Sequence, residues 1–232
     1  MKKSFWYHLT IGITSTYYRL AGMRMNVIGR ENIPDGPKII VGNHPNATDA
    51  FTLPLIFNEQ VIFLVEDKVF DIPIIGYIFK KGDQIPVVAG QGREALKTAI
   101  ERIKQGYSVC IFPEGKITNT HEVSHVGTGV ARLAAETGAP ILPIGFHVPM
   151  KFLKIFRSHQ RGKETIGSWQ VGGFCYVNIG KPFYASFDDK LEKSHLIYRQ
   201  FTQQLMDLIM DLSNQAEKIA EQRQLLPIDI NT

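Results

Sequence analysis

A histidine and an aspartate stand five positions apart in the stretch GNHPNATDAF, which directly follows the apolar run KIIV. On one continuous helix their side chains would point about 140° apart, so His44 and Asp49 can meet only across a turn. Pro45 disfavours helical geometry at His44, and Asn46 and Thr48 are common helix N-cap types. We therefore predict that His44 lies in a turn after a strand and Asp49 in the first turn of a helix. An imidazole held by a carboxylate at such a junction is typical of a general base.

The stretch FPEGKIT, Phe112 to Thr118, is a second place where the chain could bind a substrate. It ends the apolar run SVCIF, and ligands in α/β proteins bind at the carboxyl ends of strands. Glu114 could accept a hydrogen bond from a substrate hydroxyl, and Gly115 would let a ligand approach the backbone closely. The alternative interpretation is a Pro-Glu-Gly turn without a further role.

The stretch HEVSH, His121 to His125, fits the H-E-x-x-H pattern of zinc proteases. That pattern requires a helix, because only a helical turn places both histidines on one face. The neighbouring β-branched residues and glycines in GKITNTHEVSHVGTG disfavour a helix. We expect a loop that borders the site, and a zinc protease using His121, Glu122 and His125 stays as an alternative.

Apolar runs and helical patterns alternate along most of the chain. We predict strands at residues 25–28, 38–41, 61–65, 84–87, 108–112, 141–146 and 174–179. Helices are predicted at residues 5–20, 50–57, 70–79, 92–104, 129–136 and 188–222. This order predicts a single α/β domain with a mostly parallel or mixed central sheet flanked by helices, plus an N-terminal amphipathic helix.

The predicted organisation has three parts: residues 1–24 as an N-terminal membrane-interface helix, residues 25–187 as the α/β domain, and residues 188–232 as a long C-terminal helix and tail packed on it. The first segment carries several apolar and aromatic residues and is flanked by Lys2, Lys3, Arg19 and Arg24. Such a helix can lie in a membrane interface or pack on the domain. No run is long enough to cross a bilayer as a single helix.

The composition is that of a globular protein, with 44% hydrophobic and 21% charged residues. A net charge of +4 suits an anionic surface or substrate but is too small to indicate nucleic-acid binding. Cys110 and Cys175 lie in apolar runs, so we predict reduced core residues of a cytosolic protein. No signal peptide is expected, because polar residues interrupt the first apolar stretch.

Four blocks, taken in order, resemble the glycerophospholipid acyltransferases, whose best-known members are the 1-acylglycerol-3-phosphate acyltransferases. The blocks are N-H-x-x-x-x-D at Asn43 to Asp49, then GDQIPVVAG, FPEGKIT, and ILPIG with Pro143. Smaller matches are GRENIP, VGTGVARLAAETGAP and IGKP, so the resemblance extends over residues 25–182.

The resemblance implies an O-acyltransferase that moves a fatty acyl group directly from acyl-CoA or acyl carrier protein to a hydroxyl of a lysophospholipid-like acceptor, with 1-acylglycerol-3-phosphate as the leading candidate. His44 and Asp49 would be catalytic, and the substrate-binding residues would be Asn43, Glu114, Gly115, Lys116 and Thr118. No metal or cofactor beyond the acyl thioester is expected. The protein would work in the cytoplasm, bound peripherally to the inner face of a membrane.

The chain departs from the family pattern where arginines are thought to hold the phosphate of the acceptor. The second block has Val88 or Ala89 at this place, and the third has Lys116-Ile117-Thr118 instead of Thr-Arg-Ser. Two bidentate phosphate donors are therefore missing. Lys116, Arg93 or Lys81 could supply a point charge instead, or the acceptor carries no phosphomonoester. A peripheral lipid-binding module without turnover is a further alternative, although a binding module has no need of a general base.

Overall fold

The computed structural model describes residues 4–117, 126–160, 163–187 and 195–225. The described helices are α1 (Phe5–Leu20), α2 (Asp49–Thr52), α3 (Ile75–Lys81), α4 (Gly92–Lys104), α5 (Gly129–Thr137) and α6 (His195–Leu225). The strands are β1 (Met23–Ile28), β2 (Ile39–Gly42), β3 (Val61–Glu66), β4 (Ile85–Val87), β5 (Ser108–Ile111), β6 (Ile141–His147), β7 (Leu153–Gln160), β8 (Lys163–Gln170) and β9 (Gly173–Ile179).

Seven of these strands form a mixed sheet in the order β1-β9-β6-β2-β5-β3-β4. The five strands from β6 to β4 run parallel to their neighbours, whereas β9 is antiparallel to β6 and parallel to β1. The predicted α/β domain with a mostly parallel or mixed sheet is therefore confirmed. The five parallel strands end on one side of the sheet, which we call the carboxyl edge; the opposite side is the amino edge.

Both faces of the central parallel strands β2, β5 and β6 are buried, which explains why these strands are apolar without alternation. On one face Ile39, Val109 and Ile141 pack against α4, α5 and α6. On the other, Ile40, Cys110 and Leu142 pack against the turn that follows α2. Cys110 and Cys175 are buried and unbridged. Burial raises the pKa of both thiols well above its ordinary value.

Three elements differ from the sequence-based predictions. The helix predicted at residues 50–57 is α-helical only in α2 (Asp49–Thr52) and continues as a 3₁₀ turn at Leu53–Leu55, because Pro54 has no backbone N–H for a further α-helical hydrogen bond. The helix predicted at residues 70–79 begins only at Ile75, because Pro73 keeps Ile72 in extended geometry. The hairpin β7–β8 was not predicted at all. It lies outside the main sheet and leaves Ile155 and Ile166 exposed, so its sequence lacks the apolar run of a buried strand.

Helix α1 packs on the domain through tyrosine side chains. The Tyr7 hydroxyl accepts a hydrogen bond from the Val61 backbone N–H at 3.0 Å, and the Tyr18 hydroxyl is hydrogen-bonded to the Thr52 hydroxyl. Burial raises the pKa of both tyrosines, so both hydroxyls stay protonated. The outer face of the same helix exposes apolar side chains, namely Phe5, Leu9, Ile13 and Leu20. No helix in the described ranges is long and apolar enough to cross a membrane.

The contact between α6 and β6 depends on the absence of a side chain at Gly145. A Cβ atom there would overlap the backbone of Leu212 and Ser213 in α6. We therefore expect Gly145→Ala to lower the free energy of unfolding by about 2 kcal/mol or more, since the helix must move away from the sheet. Gly12→Ala is the matched control, because a Cβ at this exposed position in α1 meets nothing within 4 Å.

The free energy of unfolding of both variants is measured by urea denaturation that is monitored by circular dichroism. Gly12→Ala should raise the free energy of unfolding by about 0.5–1 kcal/mol, the usual gain for this change inside a helix. Equal stability of the two variants would show that α6 does not pack on the sheet as described.

Candidate active site

His44 and Asp49 meet at the carboxyl edge of β2. His44 lies two residues beyond the end of this strand, and Asp49 is the first residue of α2. The imidazole Nδ1 lies 3.2 Å from Asp49 Oδ2. The residues between them form a turn, as Pro45 requires, so the two side chains face each other across it. This is the geometry in which a carboxylate orients an imidazole.

The carboxylate of Asp49 is fully buried and surrounded by hydrogen-bond donors. The Asn46 backbone N–H donates to Oδ2 at 2.9 Å, and the Asn46 side-chain amide donates to Oδ1 at 2.7 Å. Burial raises the pKa of Asp49, while the hydrogen bonds from His44 and Asn46 act in the opposite direction. Since a carboxylate only accepts hydrogen bonds, we assign the imidazole proton to Nδ1 of His44.

Asn46 is itself held in place by hydrogen bonds. From the sequence it was interpreted only as a helix N-cap residue, so its bonds to Asp49 and Thr48 were not predicted. Its Oδ1 accepts hydrogen bonds from the backbone N–H of Thr48, at 2.9 Å, and from the Thr48 hydroxyl. Both side chains are buried. The spacing of Asn46 and Thr48, two residues apart, is the signal for such an Asx turn. The result is a polar turn that holds both oxygens of Asp49: Asn46 donates to Oδ1 through its side chain and to Oδ2, the oxygen next to His44, through its backbone.

The imidazole ring of His44 lies against Phe112, directly after β5. The two rings are stacked at a centroid distance of 4.2 Å and an interplanar angle of 8°. The His44 side chain is 17% exposed, so its ring is open to a ligand on one side. Since Nδ1 donates to Asp49, Nε2 is the ring atom that can accept a proton.

Glu114 reaches the same turn from the end of β5. Its Oε1 accepts a hydrogen bond from the backbone N–H of His44 at 3.0 Å, and the side chain is buried. The structure thus uses one oxygen of Glu114 to fix the backbone of His44. Gly115 has a φ of +66° and is exposed, and Lys116 beside it is exposed too. Thr118 lies outside the described residues.

The side chain of Asn43, which we predicted to bind substrate, is hydrogen-bonded within the protein. Its amide nitrogen donates to the Phe146 carbonyl at 3.0 Å and to the Ser213 hydroxyl at 3.3 Å. Its amide oxygen accepts from the Phe146 backbone N–H at 2.7 Å. Both amide atoms therefore bond to β6 and α6. Through these hydrogen bonds Asn43 holds the end of β2 against β6 and α6, directly before His44.

The topology separates the three basic residues considered as phosphate donors. Lys116 follows β5 and Arg93 lies in the first turn of α4 after β4, so both lie at the carboxyl edge with His44. Lys81 ends α3 before β4, and its neighbour Gly82 accepts a hydrogen bond from Gln60, just before β3. Lys81 is therefore at the amino edge, away from His44, and does not fit the role of a phosphate donor that was considered for it.

The zinc-protease stretch with His121, Glu122 and His125 lies outside the described residues. Among the residues that are described, no group of three His, Cys, Asp or Glu side chains is placed to hold a metal ion.

Comparisons with known proteins identify the family and the fold of this chain. A model of the Acyltransferase family matches residues 24–147. A chloroplastic 1-acyl-sn-glycerol-3-phosphate acyltransferase of Brassica napus is 32% identical over 173 residues, which cover 72% of this chain and 47% of the relative. A 1-acyl-sn-glycerol-3-phosphate acyltransferase of Bacillus subtilis is 27% identical over 199 residues, which cover 84% of this chain and 91% of the relative.

The crystal structure of a 1-acyl-sn-glycerophosphate acyltransferase from Thermotoga maritima shares the fold. It superimposes with a TM-score of 0.66 at 19% sequence identity, over 92% of this chain and 79% of that one. The chain spans about half the length of several curated relatives that it matches. The family match covers more than half of the 232 residues and contains the His44–Asp49 pair. This protein belongs to the acyltransferase family.

Proposed function

We propose that this protein is an O-acyltransferase that moves a fatty acyl group from a thioester, acyl-CoA or acyl carrier protein, to a free hydroxyl of a lysophospholipid-like acceptor. The leading acceptor is 1-acylglycerol-3-phosphate, the substrate class in the names of several relatives. The observation that carries the proposal is the buried carboxylate of Asp49, 3.2 Å from Nδ1 of a half-buried His44. A site that only bound lipid would not need this pair.

The proposed reaction is one direct transfer. Nε2 of His44 takes the proton of the acceptor hydroxyl as its oxygen attacks the thioester carbonyl. The tetrahedral intermediate then expels the thiolate, which receives the proton back from the imidazolium, so that the products are an ester and a free thiol. Asp49 stabilises the imidazolium through Nδ1–H. Cys110 and Cys175 are poor candidates for an acyl-enzyme, because both thiols are buried and their pKa is raised.

The two alternatives receive less support. The zinc-protease hypothesis depends on residues outside the described ranges, and neither the family match nor the relatives above include a protease. If the protein were only a lipid-binding module, the Asp49–His44 pair would have no function. Such a pair is unexpected without a function, because burying a carboxylate costs free energy.

Recognition of the acceptor phosphate would fall to Lys116, with Arg93 as a second cation at the carboxyl edge. Lys116 is exposed and follows Glu114 and Gly115 directly, so it lies two residues from a side chain that contacts His44. The positive φ of Gly115 turns the chain sharply at this point. A lysine binds phosphate as a point charge, which is less selective for a phosphomonoester than a bidentate arginine.

We further propose that residues 1–24 bring the domain to the cytoplasmic face of a membrane, where a long-chain acceptor is found. The exposed apolar side chains of α1 support this, and Trp6 contacts Tyr77 of α3 at a ring distance of 5.2 Å. Ile74, the residue just before α3, is an apolar side chain that is 75% exposed. A helix with one apolar face and flanking basic residues suits the interface of an anionic bilayer.

The first test concerns the catalytic pair. We expect His44→Ala to lose on the order of 10² to 10⁴ in turnover, because the attacking hydroxyl loses its base. Asp49→Asn should reduce turnover strongly as well, since an amide no longer fixes the imidazole tautomer. His8→Ala, at an exposed position of α1, is the control for loss of a histidine. The turnover of all three variants is measured from the release of free thiol from acyl-CoA. A folded His44→Ala protein with near-normal turnover would refute the mechanism.

A second test concerns the acceptor phosphate. If Lys116 binds a phosphomonoester, Lys116→Ala should raise KM for 1-acylglycerol-3-phosphate about tenfold, the usual effect of losing one charged hydrogen bond. KM for a lysophospholipid whose phosphate is esterified should change less. Lys81→Ala is the matched control, because Lys81 lies at the opposite edge of the sheet. Identical KM values for both variants would instead favour an acceptor without a phosphomonoester.

The third test concerns the membrane. Deleting α1 would also remove the buried Tyr7 and Tyr18, so substitutions on its outer face are the sharper experiment. We expect Leu9→Ser with Ile13→Ser to weaken binding to anionic vesicles at least about tenfold, since two apolar side chains leave the interface.

Leu196→Ser with Leu208→Ser, two exposed positions on α6, forms the matched control for this vesicle experiment. The control protein should sediment with vesicles as the wild type does. If all three proteins sediment equally, α1 does not contact the membrane.

A further inference from the structure

The β7–β8 hairpin touches the backbone between His44 and Asp49. The Ala47 backbone N–H donates to the Ser168 carbonyl at 2.9 Å. The Ser168 hydroxyl donates to the Pro45 carbonyl at 2.8 Å. One residue of β8 thus contacts two residues of the turn that brings the catalytic pair together. The hairpin lies beyond the region that the family model matches, which ends at residue 147.

These two bonds supply partners that the turn lacks. Pro45 keeps the backbone out of a helix, so its carbonyl and the Ala47 N–H are not paired in a regular element. Ser168 is fully buried, so water cannot easily take its place. The hairpin therefore provides both the donor and the acceptor for the middle of the turn.

The hairpin is fixed from its other side as well. Trp169 lies against Phe51, just after Asp49, at a ring distance of 5.7 Å. Its indole N–H donates to the Tyr17 hydroxyl at 2.6 Å, and Tyr17 donates to the Gln170 carbonyl at 2.9 Å. Helix α1 thus anchors β8, and β8 holds the turn. A displacement of β8 would therefore displace the Pro45–Ala47 backbone, which directly follows His44.

We propose that Ser168 is a positioning residue for the His44–Asp49 pair, a deduction that rests on the acyl transfer proposed above. It holds the Pro45–Ala47 backbone so that Nε2 of His44 stays aligned with the attacking hydroxyl. Ser168 does not contact the reacting atoms in this assignment. Loss of its hydroxyl should therefore slow the chemical step and leave substrate binding largely unchanged, because misalignment affects the reaction more than affinity.

The test compares Ser168→Ala with Ser108→Ala in the full chain. Ser108 is also buried and also donates through its hydroxyl, at 3.2 Å to Glu59, but it lies at the amino edge of the sheet. Each variant thus removes one buried hydroxyl. The measurements are kcat and KM with acyl-CoA and a short-chain, soluble lysolipid, together with hydrogen exchange at the Ala47 amide by NMR without substrate.

Ser168→Ala is expected to lower kcat about tenfold with KM within about twofold, and to speed exchange at Ala47. Ser108→Ala should have the same kcat, the same KM and the same rate of exchange at Ala47 as the wild type. Wild-type kcat in Ser168→Ala, unchanged exchange at Ala47, or an equal loss in Ser108→Ala would overturn the proposal. If the wild type itself transfers no acyl group, the proposed function fails, and exchange at Ala47 alone decides whether Ser168 holds the turn.

Discussion

The buried carboxylate of Asp49 is the constraint on which the rest of the site depends. A charge removed from water is unstable unless hydrogen bonds replace its hydration. Here Asn46 supplies two of these bonds and His44 the third. Each donor must be held in place, so the turn, the two neighbouring strand ends and the hairpin all contact this small region. The arrangement that satisfies the charge also leaves Nε2 of His44 as the ring atom that can accept a proton, which is the role proposed for it in acyl transfer.

The neighbouring strands β2 and β5 explain how distant segments meet here. Their parallel pairing brings the ends of both strands to one edge of the sheet, the usual place for ligand sites in α/β folds. His44 follows one strand, and Phe112 and Glu114 follow the other. Phe112 covers one face of the imidazole, and Glu114 fixes the backbone N–H of His44. The two sequence blocks therefore form one site because they end adjacent strands.

The sequence alone predicts the local part of this arrangement. The His44–Asp49 turn follows from short-range rules about proline and helix starts, and the buried strands follow from continuous apolar runs. Contacts between distant residues could not be predicted in this way. Glu114 bonds a backbone N–H 70 positions away, and Asn43 bonds Phe146 at a separation of 103 positions. The sequence also does not predict that Lys81 lies at the amino edge or that the hairpin contacts Pro45. Both depend on tertiary packing rather than on the spacing of residues along the chain.

The most direct test of the central claim follows an oxygen atom. The free hydroxyl of a lysophospholipid acceptor is labelled with ¹⁸O, and the product formed with acyl-CoA is analysed by mass spectrometry. If the base activates this hydroxyl for attack on the thioester, the new ester retains the label in its bridging oxygen and one free thiol appears for each ester formed. Free fatty acid and thiol without a labelled ester would show that water, not the acceptor, attacks the thioester, and would contradict the proposed acyl transfer.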